Sequence, residues 1–224
     1  MERSRATIVR EYGPFAGVDN VGGVTFDGAH VWFAGGDRLV AFDPASGAEA
    51  RVIDVPARAG TAFDGVHIFQ IAGGRIQKID PKSGRVLDTI PAPSEGDNSG
   101  LAWAEGALWV GQHGSRKIHQ VDPQTGAILR TIEANRHVTG VTWVDGELWH
   151  GTWEGEESDL RRIDPRSGEV LERVEMPSGT VVSGLESDGG EHFFCGGGNS
   201  GKVRVVRRPR RSHGARMSVL SSRT

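Results

Sequence analysis

The sequence predicts an all-β chain, a five-bladed β-propeller of four-stranded blades with the ring closed by its N-terminal strand. Three observations predict it. One phrase occurs five times, as Gly23-Val-Thr-Phe-Asp-Gly, Gly60-Thr-Ala-Phe-Asp-Gly, Gly100-Leu-Ala-Trp-Ala-Glu-Gly, Gly140-Val-Thr-Trp-Val-Asp-Gly and Gly184-Leu-Glu-Ser-Asp-Gly, with spacings of 37, 40, 40 and 44. A turn phrase occurs four times, as Asp43-Pro-Ala-Ser-Gly, Asp80-Pro-Lys-Ser-Gly, Asp122-Pro-Gln-Thr-Gly and Asp164-Pro-Arg-Ser-Gly. Glycine makes up 33 of the 224 residues, about twice its ordinary share, as many tight turns between short strands require.

Each unit of about 40 residues reads as four strands, the sequence form of a propeller blade. The first strand starts at the unit glycine. Nine residues on, a large aromatic marks the second strand: Trp32, Phe69, Trp109, Trp149 and Phe193. The third strand runs into the Asp-Pro turn, where Asp bonds backbone further on, Pro presets φ and Gly takes φ > 0. Alternating fourth strands follow, such as Arg51-Val-Ile-Asp-Val and Glu169-Val-Leu-Glu-Arg-Val. The fifth unit has strands near 184–188, 191–196 and 201–207 but no fourth. The leading segment, Ala6-Thr-Ile-Val-Arg-Glu-Tyr12, has no unit of its own. It is expected to supply the missing outer strand, which also removes an exposed sheet edge. The alternative is a six- or seven-bladed ring assembled from more than one chain.

The length suits one large domain with a full core, and residues 1–206 are read as that domain. Residues 207–224 hold six arginines and no acid, and are expected to be a disordered tail. The net charge of -3 therefore leaves -9 on residues 1–206. An acidic body lacks the basic face that phosphate neutralisation needs, which argues against nucleic acid as a partner. No run approaches 18 apolar residues, so no transmembrane helix is expected. The opening Met-Glu-Arg-Ser-Arg leads into no apolar segment, and the expected location is the cytoplasm. A single cysteine, Cys195, excludes a disulfide framework or a multi-cysteine zinc site. The expected state is a monomer whose partner is a small polar metabolite, with no membrane contact.

The Gly-x-Leu-Trp and Ile-Asp-Pro-x-Ser-Gly phrases carry a resemblance. Across residues 6–206 the repeat resembles the superfamily that contains glutaminyl cyclotransferases and streptogramin lyases. The resemblance implies a propeller, and five blades match the cyclotransferase branch where the lyases have seven. It also implies histidines and a glutamate at the channel, as in the lyases. The shared phrases are structural, and a fold does not fix an activity.

Site candidates are the exceptions among aligned units. Two residues after the unit glycine stand Thr25, Ala62, Ala102, Thr142 and Glu186; a buried carboxylate must be paired, metal-bound or protonated. Ten residues after it stand Phe33, Gln70, Val110, His150 and Phe194; thirteen after it, Gly36, Gly73, His113, Trp153 and Gly197. The loops between blades add Asn20, Arg58, Asp97, Asn98, Arg136 and His137 to the same rim. The plain reading of Glu186 is a carboxylate bonded to strand amides, and of His150 a satisfied core histidine. The longer segment Thr152–Ser158 is either a lid or a solvated acidic bulge.

The reading is an enzyme whose site lies at the channel mouth, working by elimination, cyclisation or hydrolysis. Glu186, His150, His113 and His137 are its catalytic candidates. Trp153, Gln70, Arg58, Asp97, Asn98 and Asn20 are its substrate-binding candidates. Histidine titrates near neutrality and suits acid/base transfer. Imidazole with carboxylate also suits a divalent cation, although no local His-x-x-x-His spacing occurs; no other cofactor is indicated. The alternative is a non-catalytic propeller that binds or scaffolds through its rim loops.

Overall fold

The computed structural model describes residues 1–209, and every regular element among them is a β-strand. In chain order β1 (Glu2–Arg5) and β2 (Ile8–Tyr12) precede the first complete blade. Blade 1 is β3 (Val24–Phe26), β4 (Val31–Ala34), β5 (Leu39–Phe42) and β6 (Glu49–Ile53). Blade 2 is β7 (Thr61–Phe63), β8 (Ile68–Ala72), β9 (Arg75–Ile79) and β10 (Val86–Pro91). Blade 3 is β11 (Asn98–Ala104), β12 (Ala107–Gln112), β13 (Lys117–Val121) and β14 (Ile128–Glu133). Blade 4 is β15 (Val138–Val144), β16 (Glu147–Glu154), β17 (Glu157–Ile163) and β18 (Val170–Glu175). Blade 5 contributes β19 (Gly184–Ser187), β20 (His192–Gly196) and β21 (Val203–Arg207). The fold is the expected five-bladed propeller in one chain.

Closure occurs as the repeat count requires: β2 pairs antiparallel with β21 and becomes the outer strand of blade 5. The sequence did not show that β1 continues onto the previous blade. It pairs parallel with β18, Glu2 opposite Glu172 through Arg5 opposite Glu175, and makes blade 4 five-stranded. The N-terminal segment thus ties two blades together. No helix among the described residues is long and apolar enough to cross a membrane.

The unit glycines close the centre. A Cβ on Gly23 would stand 2.4 Å from the Ala59 carbonyl, and one on Gly60 2.4 Å from the Leu101 amide. The contacts continue from Gly100 to Val141, Gly140 to Leu185, and Gly184 back to Gly22 and Val24, all at 2.3–2.8 Å from backbone. Five innermost strands converge backbone to backbone, so only glycine fits at each of these positions.

Five apolar clusters fill the spaces between blades, and aromatic pairs run through them. Trp103 stacks on Phe69 at 5.5 Å and Trp143 on Trp109 at 5.2 Å. The aromatic three residues after a unit glycine therefore packs on the second strand of the preceding blade. Each Asp-Pro turn is built as its composition demands. The Asp43 carboxylate accepts from the Ala45 and Ser46 amides and the Ser46 hydroxyl, and Gly47 sits at φ +79°.

The expected tail starts later than Arg207. Arg207 ends β21, and Arg208 is buried, with Nη1 2.6 Å from Asp145 Oδ2 and Nη2 3.0 Å from Glu147 Oε2. Those two acids lie at the turn between β15 and β16, so the arginine pins the end of blade 5 to blade 4. The rest of the expected disordered tail, residues 210–224, lies outside the described residues.

Candidate active site

The rim residues separate into two clefts, one holding the histidines and one of about 530 Å³ lined by Asn20 and Arg58. The histidine cleft lies where β12 and β16 end beside the loop that enters β15. A cavity of about 420 Å³ is lined there by His113, His137, Trp153, Glu154 and Gly155. His113 is the first residue after β12, and its N–H donates to the Asp97 carbonyl at 2.9 Å. His137 directly precedes β15, and its N–H donates to Glu154 Oε1 at 3.0 Å. The two imidazoles stack with centroids 4.5 Å apart and planes 6° from parallel.

Hydrogen bonding sets the His137 tautomer. Its Nδ1 lies 2.8 Å from the His113 carbonyl oxygen, which can only accept, so Nδ1 carries the proton and Nε2 is the basic nitrogen. That Nε2 is 3.9 Å from Glu154 Oε1. Desolvation holds the His113 pKa below the ordinary imidazole value, helped by the like charge of His137 and opposed by Asp97 and Glu154. Desolvation therefore favours the neutral form of His113.

Glu154 is ionised and held. Partial burial works against its charge, but the His137 N–H, Arg136 and Arg116 outweigh that and lower its pKa. Arg136 Nε stands 3.0 Å from Glu154 Oε2 and Arg116 Nη2 3.7 Å from Oε1. Trp153, 39% exposed, spends its indole N–H on the Gly155 carbonyl at 2.8 Å. It lines the cavity with its indole N–H already engaged.

The other candidates do not converge on this opening. Glu186 lies in the ring of innermost strands, where Thr142 Oγ1 and the Ser187 amide donate to Oε1 and Thr25 Oγ1 donates to Oε2 at 2.9 Å. Its sisters Thr25, Ala62, Ala102 and Thr142 are closed to solvent, whereas the long side chain of Glu186 is half-buried. Burial pushes its carboxyl up to about 7, against the pull of those hydrogen bonds.

His150 is wholly buried inside blade 4 instead of facing the opening. Its Nδ1–H donates to the Gly151 carbonyl at 3.1 Å, Nε2 has no hydrogen-bond partner, and desolvation lowers its pKa to about 4. Gln70, its counterpart in blade 2, is also interior and fully bonded, to Thr61 Oγ1 and the Ala59 and Ile71 carbonyls.

Asp97 caps the turn after β12 by accepting from the Gly114 and Ser115 amides. Asn98 donates to the Ser94 and Gly73 carbonyls. On the far side of the rim, Arg58 pairs with Asp37 at 3.0 Å and Asn20 with Asn199 at 2.6 Å. Among the described residues no group of three or more His, Cys, Asp or Glu is arranged to hold a metal ion.

Aligning the units missed Glu154 as a site residue, along with the cluster behind it of Asp159, Arg161 and Arg173. The longer β16–β17 hairpin interrupts the gap-free unit alignment after Trp153, so these residues fall out of step with their counterparts in blade 3. The signal available was the run Asp159-Leu-Arg-Arg162, charged where a third strand ought to be apolar on one face.

Five blades, with an imidazole cleft between blades 3 and 4, define the chain as a β-propeller. The chain belongs to the family described as domain of unknown function DUF5074, whose model matches residues 15–188. No curated protein matches it. Among solved structures, glutaminyl cyclase from Myxococcus xanthus superposes with a TM-score of 0.77 at 18% identity, over 92% of this chain and 97% of that one. Hydrazine synthase from Kuenenia stuttgartiensis gives 0.52 at 16% identity, over 80% of this chain and 56% of that one. At these identities the shared property is the fold, and the expected likeness to cyclotransferase propellers holds at that level.

Proposed function

We propose that the protein is an enzyme acting on a small polar molecule, with the His113–His137 pair as its proton-transfer group. The observation that carries this is the stacked pair itself. One imidazole is favoured in its neutral form and the other has its tautomer set, both on a cavity floored by an ionised carboxylate. Cyclisation, elimination and hydrolysis all need a proton taken at one atom and returned at another. In a cyclisation of glutaminyl type, the amine attacks the side-chain amide carbon and a C–N bond forms. The amine then loses a proton, and the departing ammonia gains one. The fold shared with glutaminyl cyclase makes this the first reaction to test.

The test is ammonia release and product mass with glutaminyl dipeptides and other small primary amides. Turnover that drops about a hundredfold or more in both His113→Ala and His137→Ala supports the reading. Turnover equal to the parent in both removes the pair from the chemistry. A second reading, a propeller that binds without turnover, has one observation in its favour. Glu154 and Asp97, the carboxylates beside the imidazoles, are both already engaged, by arginines and by backbone amides. Under that reading amide probes bind at Trp153 and are recovered unchanged.

A further inference from the structure

Blade 4 encloses a charged cluster that the neighbouring blade lacks. Asp159 on β17 is wholly buried. Arg161 donates to it through Nε at 2.7 Å and Nη2 at 2.9 Å, and Thr152 Oγ1 donates at 2.7 Å. Arg173 Nε completes the set as an ion pair at 2.7 Å. Burial opposes the Asp159 charge, but these partners outweigh it and lower its pKa.

The same register in blade 3 puts Lys117 in place of Asp159, His119 in place of Arg161 and Thr131 in place of Arg173. There His119 bonds Thr131 Oγ1 and Gln112 Oε1, and no ion pair is enclosed. Blade geometry alone does not call for the cluster. Desolvating a carboxylate and guanidinium groups offsets much of their attraction, so apolar residues would hold the blade as well.

The cluster faces the cleft through Arg136. Its Nη1 is 3.8 Å from Asp159 Oδ2 and 3.5 Å from Glu157 Oε2, while its Nε is 3.0 Å from Glu154 Oε2. Glu154 in turn accepts the His137 N–H. A continuous line of charge thus runs from the interior of blade 4 to the imidazole pair. Arg116, the other cation on Glu154, is more exposed and stands further off.

We propose that Asp159 is a positioning residue. It orients Arg136, which holds Glu154, which anchors the His137 backbone N–H and so keeps the ring where its Nδ1–H reaches the His113 carbonyl. The inference rests on the acid/base reading of that cleft, yet its test needs no substrate. Turnover and positioning can therefore fail separately.

The experiment is side-chain ¹⁵N NMR of the full chain at one pH, reading the His137 tautomer in the parent, Arg136→Gln and Asp159→Asn, with a thermal melt of each. The parent is expected to show the Nδ1–H form. Both variants are expected to relax toward the Nε2–H form that free imidazole prefers, lowering the tautomer ratio by up to about tenfold, the worth of one ordinary hydrogen bond. A folded Asp159→Asn with the parent tautomer overturns the role of Asp159. Arg136→Gln cuts the same line from its exposed end, and an unchanged tautomer there overturns the whole brace, even if Asp159→Asn does not fold.

Discussion

His113 and His137 lie face to face, and the Nδ1–H of His137 donates to the backbone carbonyl of His113. The bond joins the loop after β12 to the residue just before β15, so two blades share one pair of rings. Two imidazolium ions at that spacing repel, and each proton taken makes the next harder to take.

A first prediction follows from that repulsion. Desolvation and the charge of His137 both lower the His113 pKa. His137→Asn removes the charge and leaves the burial, so the His113 value is expected to rise yet stay below that of a free imidazole. The C–H resonances of His113, followed through a pH titration, report it. An unchanged value would assign the whole depression to desolvation.

Glu186 has three donors and no cation on it. Glu186→Ala leaves those donors unmatched. A loss of about 1–3 kcal/mol is expected in urea melts. Glu186→Gln keeps the volume and one acceptor, and is expected to lose less. A variant Glu186→Ala as stable as the parent would show that the carboxylate is there for a ligand.

The pH dependence of stability separates a buried and a half-buried group with opposite signs. His150 has a pKa of about 4 in the folded chain against 6.5 ordinarily. As pH falls the unfolded chain takes that proton first, so its contribution is lost between about pH 6.5 and 4. Glu186 has about 7 in the folded chain against 4.5 ordinarily. Its contribution is full below about pH 4.5 and is lost as pH rises through 7. Each effect is on the order of 3 kcal/mol, and between pH 4.5 and 6.5 they oppose. Relative to the parent, His150→Phe is expected to gain stability on acidification and Glu186→Gln to lose it. Urea midpoints at pH 7 and pH 5 give both slopes; equal slopes in the three proteins would contradict the assignment.

The fold was legible because its determinants repeat. The unit glycines, the aromatics nine residues on and the Asp-Pro turns each answer a local steric or hydrogen-bonding need that recurs in blade after blade. β1 was not legible: Glu2-Arg-Ser-Arg5 pairs only through its backbone along β18, and its four side chains are all exposed. The site was legible in part. His113 and Trp153 stood out because they replace glycine at the rim, and the structure brings both to the cleft with His137. The comparison between units shows which residues differ without showing why. Gln70 differs because it fills and bonds a local gap, whereas Glu154 went unmarked because the longer hairpin shifts it out of gap-free register.

Arg208 predicts a sharp boundary for C-terminal truncation. A chain ending at Arg207 loses the guanidinium that sits between Asp145 and Glu147; one ending at Pro209 keeps it. Glu147 is buried but retains Arg162 and the Trp149 indole. The expected difference is therefore about 2 kcal/mol, below the full cost of stranding a buried charge. Removing residues 1–12 is expected to cost more than either cut, since it takes β2 from blade 5 and β1 from blade 4. Thermal melts of the three truncations test the order, and equal melting temperatures would show that the ring closes without its first two strands.

The closing of the centre makes the last prediction. Gly60 lies where two innermost strands meet, and a methyl there would stand 2.4 Å from the Leu101 amide and 2.5 Å from the Gly100 carbonyl carbon. Neither atom belongs to a side chain that can rotate away, so relief requires the strands of blades 2 and 3 to part. Parting them disturbs the whole circle, because each unit glycine meets the next blade in the same way. Gly60→Ala is expected to cost at least about 4 kcal/mol, in the range reserved for severe core disruption. Gly28 is the control: its φ of +91° strains alanine, but nothing lies within 4 Å of the added carbon. There the cost is backbone strain alone, about 1–2 kcal/mol. Urea unfolding of the two single variants beside the parent decides the point. A loss in Gly60→Ala no larger than that in Gly28→Ala would mean that neighbouring blades part at little cost, and that contact between them is not what keeps the repeat glycines in place.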